Sequence, residues 1–156
     1  MPDRPSGRDE SEGERLDRNL AELLQELRVA LPGVQVLFAF LLAVPFTQRW
    51  EQTTEIQRDA FFAAIMCATV ATVLLIAPSS YHRIRWREGD KEQMLRTSNR
   101  LAIAGTVFLA LSMIAVVFVV TDVVFDIAVA TGISIGTAGL FAWFWYGLPL
   151  TRKARD

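Results

Sequence analysis

The sequence holds one histidine and one cysteine, and they stand apart: His82 follows a long apolar run and Cys67 lies inside it. Neither has a partner at metal-ligand spacing, and a lone cysteine closes no intrachain disulfide. Ser79 and Ser80 come just before His82 and suggest a nucleophile beside its base. Triads are made by spatial geometry, however, and Ser80 before Tyr81 reads as a helix end. No glycine-rich phosphate loop, GxSxG or HExxH occurs. A net charge of −1, with basic residues grouped for a reason given below, speaks against nucleic acid as a partner. These residues point to neither an enzyme nor a cofactor nor a metal.

What remains are amides, hydroxyls and carboxylates, whose use depends on where the chain puts them. Hydrophobic residues make up 52% of the 156 and charged ones 21%, so charge must be segregated along the sequence. Between Arg28 and Arg49, Asp59 and His82, Arg100 and Asp122, and Asp126 and Arg152 lie charge-free stretches of 20, 22, 21 and 25 residues. A helix of roughly 20 apolar residues crosses the hydrocarbon layer while satisfying its own backbone. Spans are expected at about 31–48, 60–79, 101–121 and 127–148.

The first stretch is the weakest, because Pro32, Gly33, Gln35 and Pro45 leave an apolar core of only Val36 to Val44. Charge placement decides in its favour. Of the 16 basic residues, 14 lie in the N-terminal arm, the loop after the second stretch and the tail. The positive-inside rule puts those three on one side, which requires an even number of crossings between arm and loop. Trp50, Tyr81, Trp86, Trp143, Trp145 and Tyr146 stand at the ends of spans, where amphipathic rings prefer the headgroup level. The expected fold is an all-α integral membrane four-helix bundle over residues 31–150, with both termini cytoplasmic.

Residues 1–14 are rich in Pro, Gly, Ser and charge and are expected to be disordered. From 15 to 30, Leu16, Leu20, Leu23, Leu24 and Leu27 recur at helical spacing opposite a charged face, which predicts a cytoplasmic amphipathic helix. It either lies in the membrane interface or joins subunits as a short coiled coil. In the central loop, Arg83, Arg85 and Arg87 around Trp86 either contact lipid headgroups or only fix orientation. Asp90 to Asn99 reads as a short helix feeding the third span.

Small residues give the clearest pattern inside the spans. Gly132, Gly136 and Gly139 share a face of the fourth; Ala60, Ala63, Ala64, Cys67, Ala68 and Ala71 share one on the second. Such faces let backbones approach closely, so these two helices are the candidates for tight contact, within one subunit or between subunits. Thr69, Thr72, Ser112, Ser134 and Thr137 are expected to bond carbonyls of their own helices. Gln35, the one amide away from a span end, is the candidate polar lining.

The run Arg15-Leu-Asp-Arg-Asn-Leu-Ala-Glu-Leu-Leu-Gln-Glu-Leu-Arg-Val, the corner Pro78-Ser-Ser-Tyr-His-Arg83, Asn99-Arg100 and Trp145-Tyr-Gly-Leu-Pro149 carry a resemblance. Together they resemble a family of small bacterial four-span membrane proteins classed as a domain of unknown function, which implies a place in the bacterial inner membrane. Members are sometimes labelled sodium/proton antiporters. Exchange of that kind needs an ionisable group near the midplane, usually Asp or Glu, and the four stretches hold neither. Asp59, Asp122 and Asp126 sit at span ends, where capping or solvation accounts for them. Two functions fit: a scaffold or accessory subunit meeting lipids, a second copy or a membrane partner, and an oligomeric channel or transporter lined by Gln35 and hydroxyls. The topology has a direct test: in sealed cells, Gln52→Cys should react with an impermeant thiol reagent and Gly89→Cys should not, and the reverse pattern would invert the protein.

Overall fold

The computed structural model describes residues 12–84 and 91–153. They form α1 (Glu12–Ala43), two 3-10 turns (Val44–Phe46 and Gln48–Gln52), α2 (Glu55–Ile84), α3 (Lys91–Val124), α4 (Ile127–Phe141), a π-helical segment (Ala142–Gly147) and α5 (Leu148–Lys153). No strand occurs among the described residues. Four helices are long and apolar enough to cross a membrane, the fourth being α4 with its π-helical continuation. The disorder expected for residues 1–14 falls outside the described residues up to 11, while residues 12–14 are already helical. Arg85, Trp86, Arg87 and Asp90 also lie outside them.

The amphipathic segment is not a separate element. It continues into the first span as one helix, and Pro32 sits inside without a break. Proline has no N–H for the carbonyl four residues back. Here that carbonyl belongs to Arg28, the last charged residue before the apolar stretch, where polar surroundings can satisfy it. The leucine face is covered by the chain itself: Leu27 joins Val34, Leu75 and Ala102 in a buried cluster, with Leu23 and Leu31 packed against it. α2 and α3 run past their charge-free stretches, to Ile84 and from Lys91, and so offer this face a protein surface.

At its other end α1 stops at Ala43, short of the expected residue 48, because Pro45 withholds the next ladder N–H. Thr47 closes the turn by donating its hydroxyl to the Val44 carbonyl at 2.7 Å. Trp50 then meets Phe61 edge-on, with centroids 5.0 Å apart, and covers a second cluster of Leu41, Phe61, Ala64 and Ala68. α2 opens on a reciprocal cap: Gln57 N donates to Thr54 Oγ1 at 3.2 Å, and Thr54 N to Gln57 Oε1 at 3.1 Å.

α2 and α3 form the closest pair. Ala64, Ala68, Ala71 and Leu75 of α2 are fully buried, as are Ser98 and Ser112 of α3, with Ala102 and Gly105 in the same α3 stripe. Ser112 Oγ donates across the seam to the Ala64 carbonyl at 2.8 Å. A Cβ built on Gly105 would lie 2.7 Å from Leu75 Cγ and 3.3 Å from Leu74 Cβ, so only glycine admits Leu75 there.

The tight contact suggested between the second and fourth helices does not form within the chain. α4 touches α3 and neither α1 nor α2. The reason lies in both helices: the alanine face of α2 is already matched by the small stripe of α3, and α4 turns Ala130 and Ser134 inward. Gly132 and Gly136 each follow those residues by two positions, about 200° around a helix, and are exposed. The bundle is therefore asymmetric, three helices in mutual contact with a fourth held against α3 alone. Gly105→Leu should destabilise the folded protein by about 1–3 kcal/mol through overpacking, whereas Gly139→Leu should stay within about 0.5 kcal/mol, as read from unfolding midpoints in detergent.

Candidate functional site

Because α1 and the far end of the fourth span, beyond α4, do not meet, a groove opens between them over α3. Ala30, Gly33, Val34 and Leu37 form one wall, Trp145, Tyr146 and Leu150 the other, and Ile103, Thr106, Leu109 and Met113 the floor. It encloses about 980 Å³ and is almost entirely apolar.

The aromatic wall depends on the π-helical segment. The Leu148 N–H reaches the carbonyl of Trp143, five residues back, in place of the usual four. Pro149, next in sequence, has no N–H with which to continue an α-helical ladder. Phe141 and Trp145 meet edge-on at 4.8 Å, and Gly147 leaves room for the Trp143 ring, 3.2 Å from where a Cβ would stand. Thr106 Oγ1 donates to the Ile103 carbonyl at 2.8 Å. Its single proton is thereby used, so the Tyr146 hydroxyl, 3.0 Å away, donates to Thr106. This pair ties the end of the fourth span to α3 and is a polar point in an otherwise apolar groove.

A second polar tie lies at the opposite end of the bundle. Gln57, buried, donates from Nε2 to Asp122 Oδ2 at 2.8 Å and so fastens α2 to α3. Asp126 caps α4 by accepting from Ala128 N and Val129 N at 2.8 and 3.0 Å. Both carboxylates thus have structural partners, in keeping with capping for Asp126.

The sequence-derived residues separate into distinct places. Ala64 and Ala71 are buried in the α2–α3 seam, Cys67 is half-buried beside it and Ala63 is exposed. Gly132, Gly136 and Gly139 are exposed, with nothing within 4 Å of a built Cβ. Gln35 is exposed on α1, outside the groove, and Arg83 is exposed at the end of α2. Thr69, Thr72 and Thr137 donate to carbonyls four residues back at 2.8–2.9 Å. Ser112 departs from that expectation by crossing to Ala64, and Ser134 Oγ is buried with no hydrogen-bond partner among the described residues.

Sequence reasoning passed over three residues that matter here. Gln57 was signalled by the Thr54-x-x-Gln57 capping pattern ahead of an apolar run, and Gly105 by its place in the stripe of Ser98, Ala102 and Ser112. Nothing in sequence links Thr106 to Tyr146, 40 residues on. A family model described as a family of unknown function (DUF6328) matches residues 9–149. The chain belongs to that family. No curated protein and no solved structure matches it. The DUF6328 match takes in all four spans and both walls of the groove up to Tyr146. Because Thr106 and Tyr146 act on each other, a double-mutant cycle with Thr106→Val and Tyr146→Phe should give a coupling of about 0.6 kcal/mol, with an upper bound near 1.7 kcal/mol, in unfolding free energy.

Proposed function

We propose that this is a non-catalytic multi-pass protein of the bacterial inner membrane, with both termini cytoplasmic, serving as a scaffold or accessory subunit. It works by packing the glycine face of α4 against another membrane-embedded surface, a second copy or a different membrane protein. One observation carries the reading: Gly132, Gly136 and Gly139 are exposed with open space around them, on a helix that touches only α3. Lipid gains little from an exposed glycine, whereas a neighbouring helix gains close backbone approach, and Gly132 and Gly136 have the four-residue spacing of such contacts.

An oligomeric channel or cation transporter is the second reading, supported by the exposure of Gln35 on α1, where amides of several subunits could line a shared path. The charge-free spans weigh against it, because coupled cation exchange draws on intramembrane carboxylates. In native membranes a photo-crosslinker at Gly136 should capture a partner chain. Gly132→Leu should weaken that association at least about tenfold, on the scale of 1.4 kcal/mol of lost packing, with the unfolding midpoint unchanged. Liposomes bearing the protein should show no ion flux. Capture unaffected by Gly132→Leu would sink the scaffold reading, and flux abolished by Gln35→Leu would replace it with the channel.

A further inference from the structure

α1 and α3 run side by side in the same direction, and the furrow between them changes character along its length. Near their N-terminal ends it is lined by Glu22 and Glu26 of α1 and by Arg96 and Asn99 of α3, around a pocket of about 390 Å³. Further along, beyond Arg28 and Arg100, the apolar groove begins at Ala30 and Ile103. The linings follow one stripe on each helix, Glu22, Glu26, Ala30 and Gly33 on α1 and Arg96, Asn99, Ile103 and Thr106 on α3, at steps of three or four residues. The furrow is therefore polar outside the charge-free stretches and apolar inside them, the profile of a single amphiphile.

Charge narrows the occupant. Glu22 lies 3.7 Å from Arg18, and Arg96 pairs with Glu92, one turn back on α3. Glu26 makes no ion pair among the described residues, so the uncompensated charge in the polar pocket is negative, with Arg96 across from it and Arg100 exposed one turn further along α3. A headgroup with an ammonium and a phosphodiester complements that arrangement. A second helix does not fit the apolar part: twenty residues fill a cylinder about 10 Å across and 30 Å long, more than twice the groove's 980 Å³.

We propose that the α1–α3 furrow binds one membrane phospholipid whose head carries a primary ammonium. The ammonium sits at Glu26, the phosphodiester lies toward Arg96 and Arg100, and an acyl chain fills the groove against Gly33, Thr106 and Tyr146. This rests on the membrane placement given above but not on the glycine face of α4.

The test uses the full chain reconstituted in vesicles of equal parts phosphatidylethanolamine, phosphatidylcholine and phosphatidylglycerol, then extracted gently for native mass spectrometry. One phosphatidylethanolamine should be retained per chain, at least about fivefold over either competitor, because only its ammonium gives Glu26 a donor that is itself charged: a quaternary amine has no N–H and a glycerol hydroxyl is neutral. Glu26→Gln, at an exposed position, should bring the three lipids close to parity. Gly33→Phe, which has open space for its Cβ, should lower retention of every lipid severalfold with the unfolding midpoint unchanged. Equal retention of the three lipids by the unaltered protein, or a preference that survives Glu26→Gln, would overturn the proposal. Loss of crosslinking at α4 with this preference intact would reject the scaffold reading alone.

Discussion

The close approach of α2 and α3 is the contact on which the other helices depend. In lipid, apolar side chains gain little by turning toward protein, so helices associate through packing and a few hydrogen bonds. The seam meets that requirement with small residues on both sides: Ala64, Ala68 and Ala71 face a stripe that includes Ala102, Gly105 and Ser112. Gly105 makes room for Leu75, and Ser112 reaches the Ala64 carbonyl. Both clusters that hold α1 are then built on this pair, through Leu75 and Ala102 toward one end and through Phe61, Ala64 and Ala68 toward the other.

Once α2 and α3 are matched to each other, the place of α4 follows from its connection. A tight turn capped by Asp126 returns the chain alongside α3, and α2 has no free small face to offer it. Two surfaces are left open: the glycine face of α4, and the groove between α1 and the aromatic end of the fourth span. Polar ties at opposite ends of the bundle, Gln57 with Asp122 and Tyr146 with Thr106, hold α3 to its neighbours without placing an ionisable group in mid-span. Each such bond contributes modestly in a membrane, so they fix register more than they supply stability.

The proposed role by contact draws on this arrangement. Its spans carry no carboxylate that two cations could occupy in turn, and its two open surfaces differ in kind. A face of glycines suits the backbone of another helix. A furrow that passes from Glu26 and Arg96 to Gly33 and Thr106 suits a molecule with a charged head and an apolar tail. Gly132, Gly136 and Gly139 do not line the furrow, so neither occupant needs to displace the other.

Four helices long and apolar enough to cross a membrane were legible from the charge-free stretches alone, because a span must satisfy its backbone internally and the required length is set by the bilayer. The threonine back-bonds, the Asp126 cap and Ala64, Ala68 and Ala71 of the α2 face were legible too, since each depends on helical spacing or on neighbours within four residues; the exposure of Ala63 was not. Helix pairing was not legible. Small faces on the second and fourth spans look alike in sequence, and which of them is covered depends on the stripe of α3 and on the direction in which a short turn returns the chain. The leucines of residues 15–30 announced an amphipathic helix but not that the chain's own α2 and α3 would extend far enough to cover it. The groove, the Thr106–Tyr146 pair and the furrow join residues of different helices, far apart in sequence, and only packing brings them together. Local periodicity determines what each helix can bury; tertiary contact alone decides which of those faces stay open.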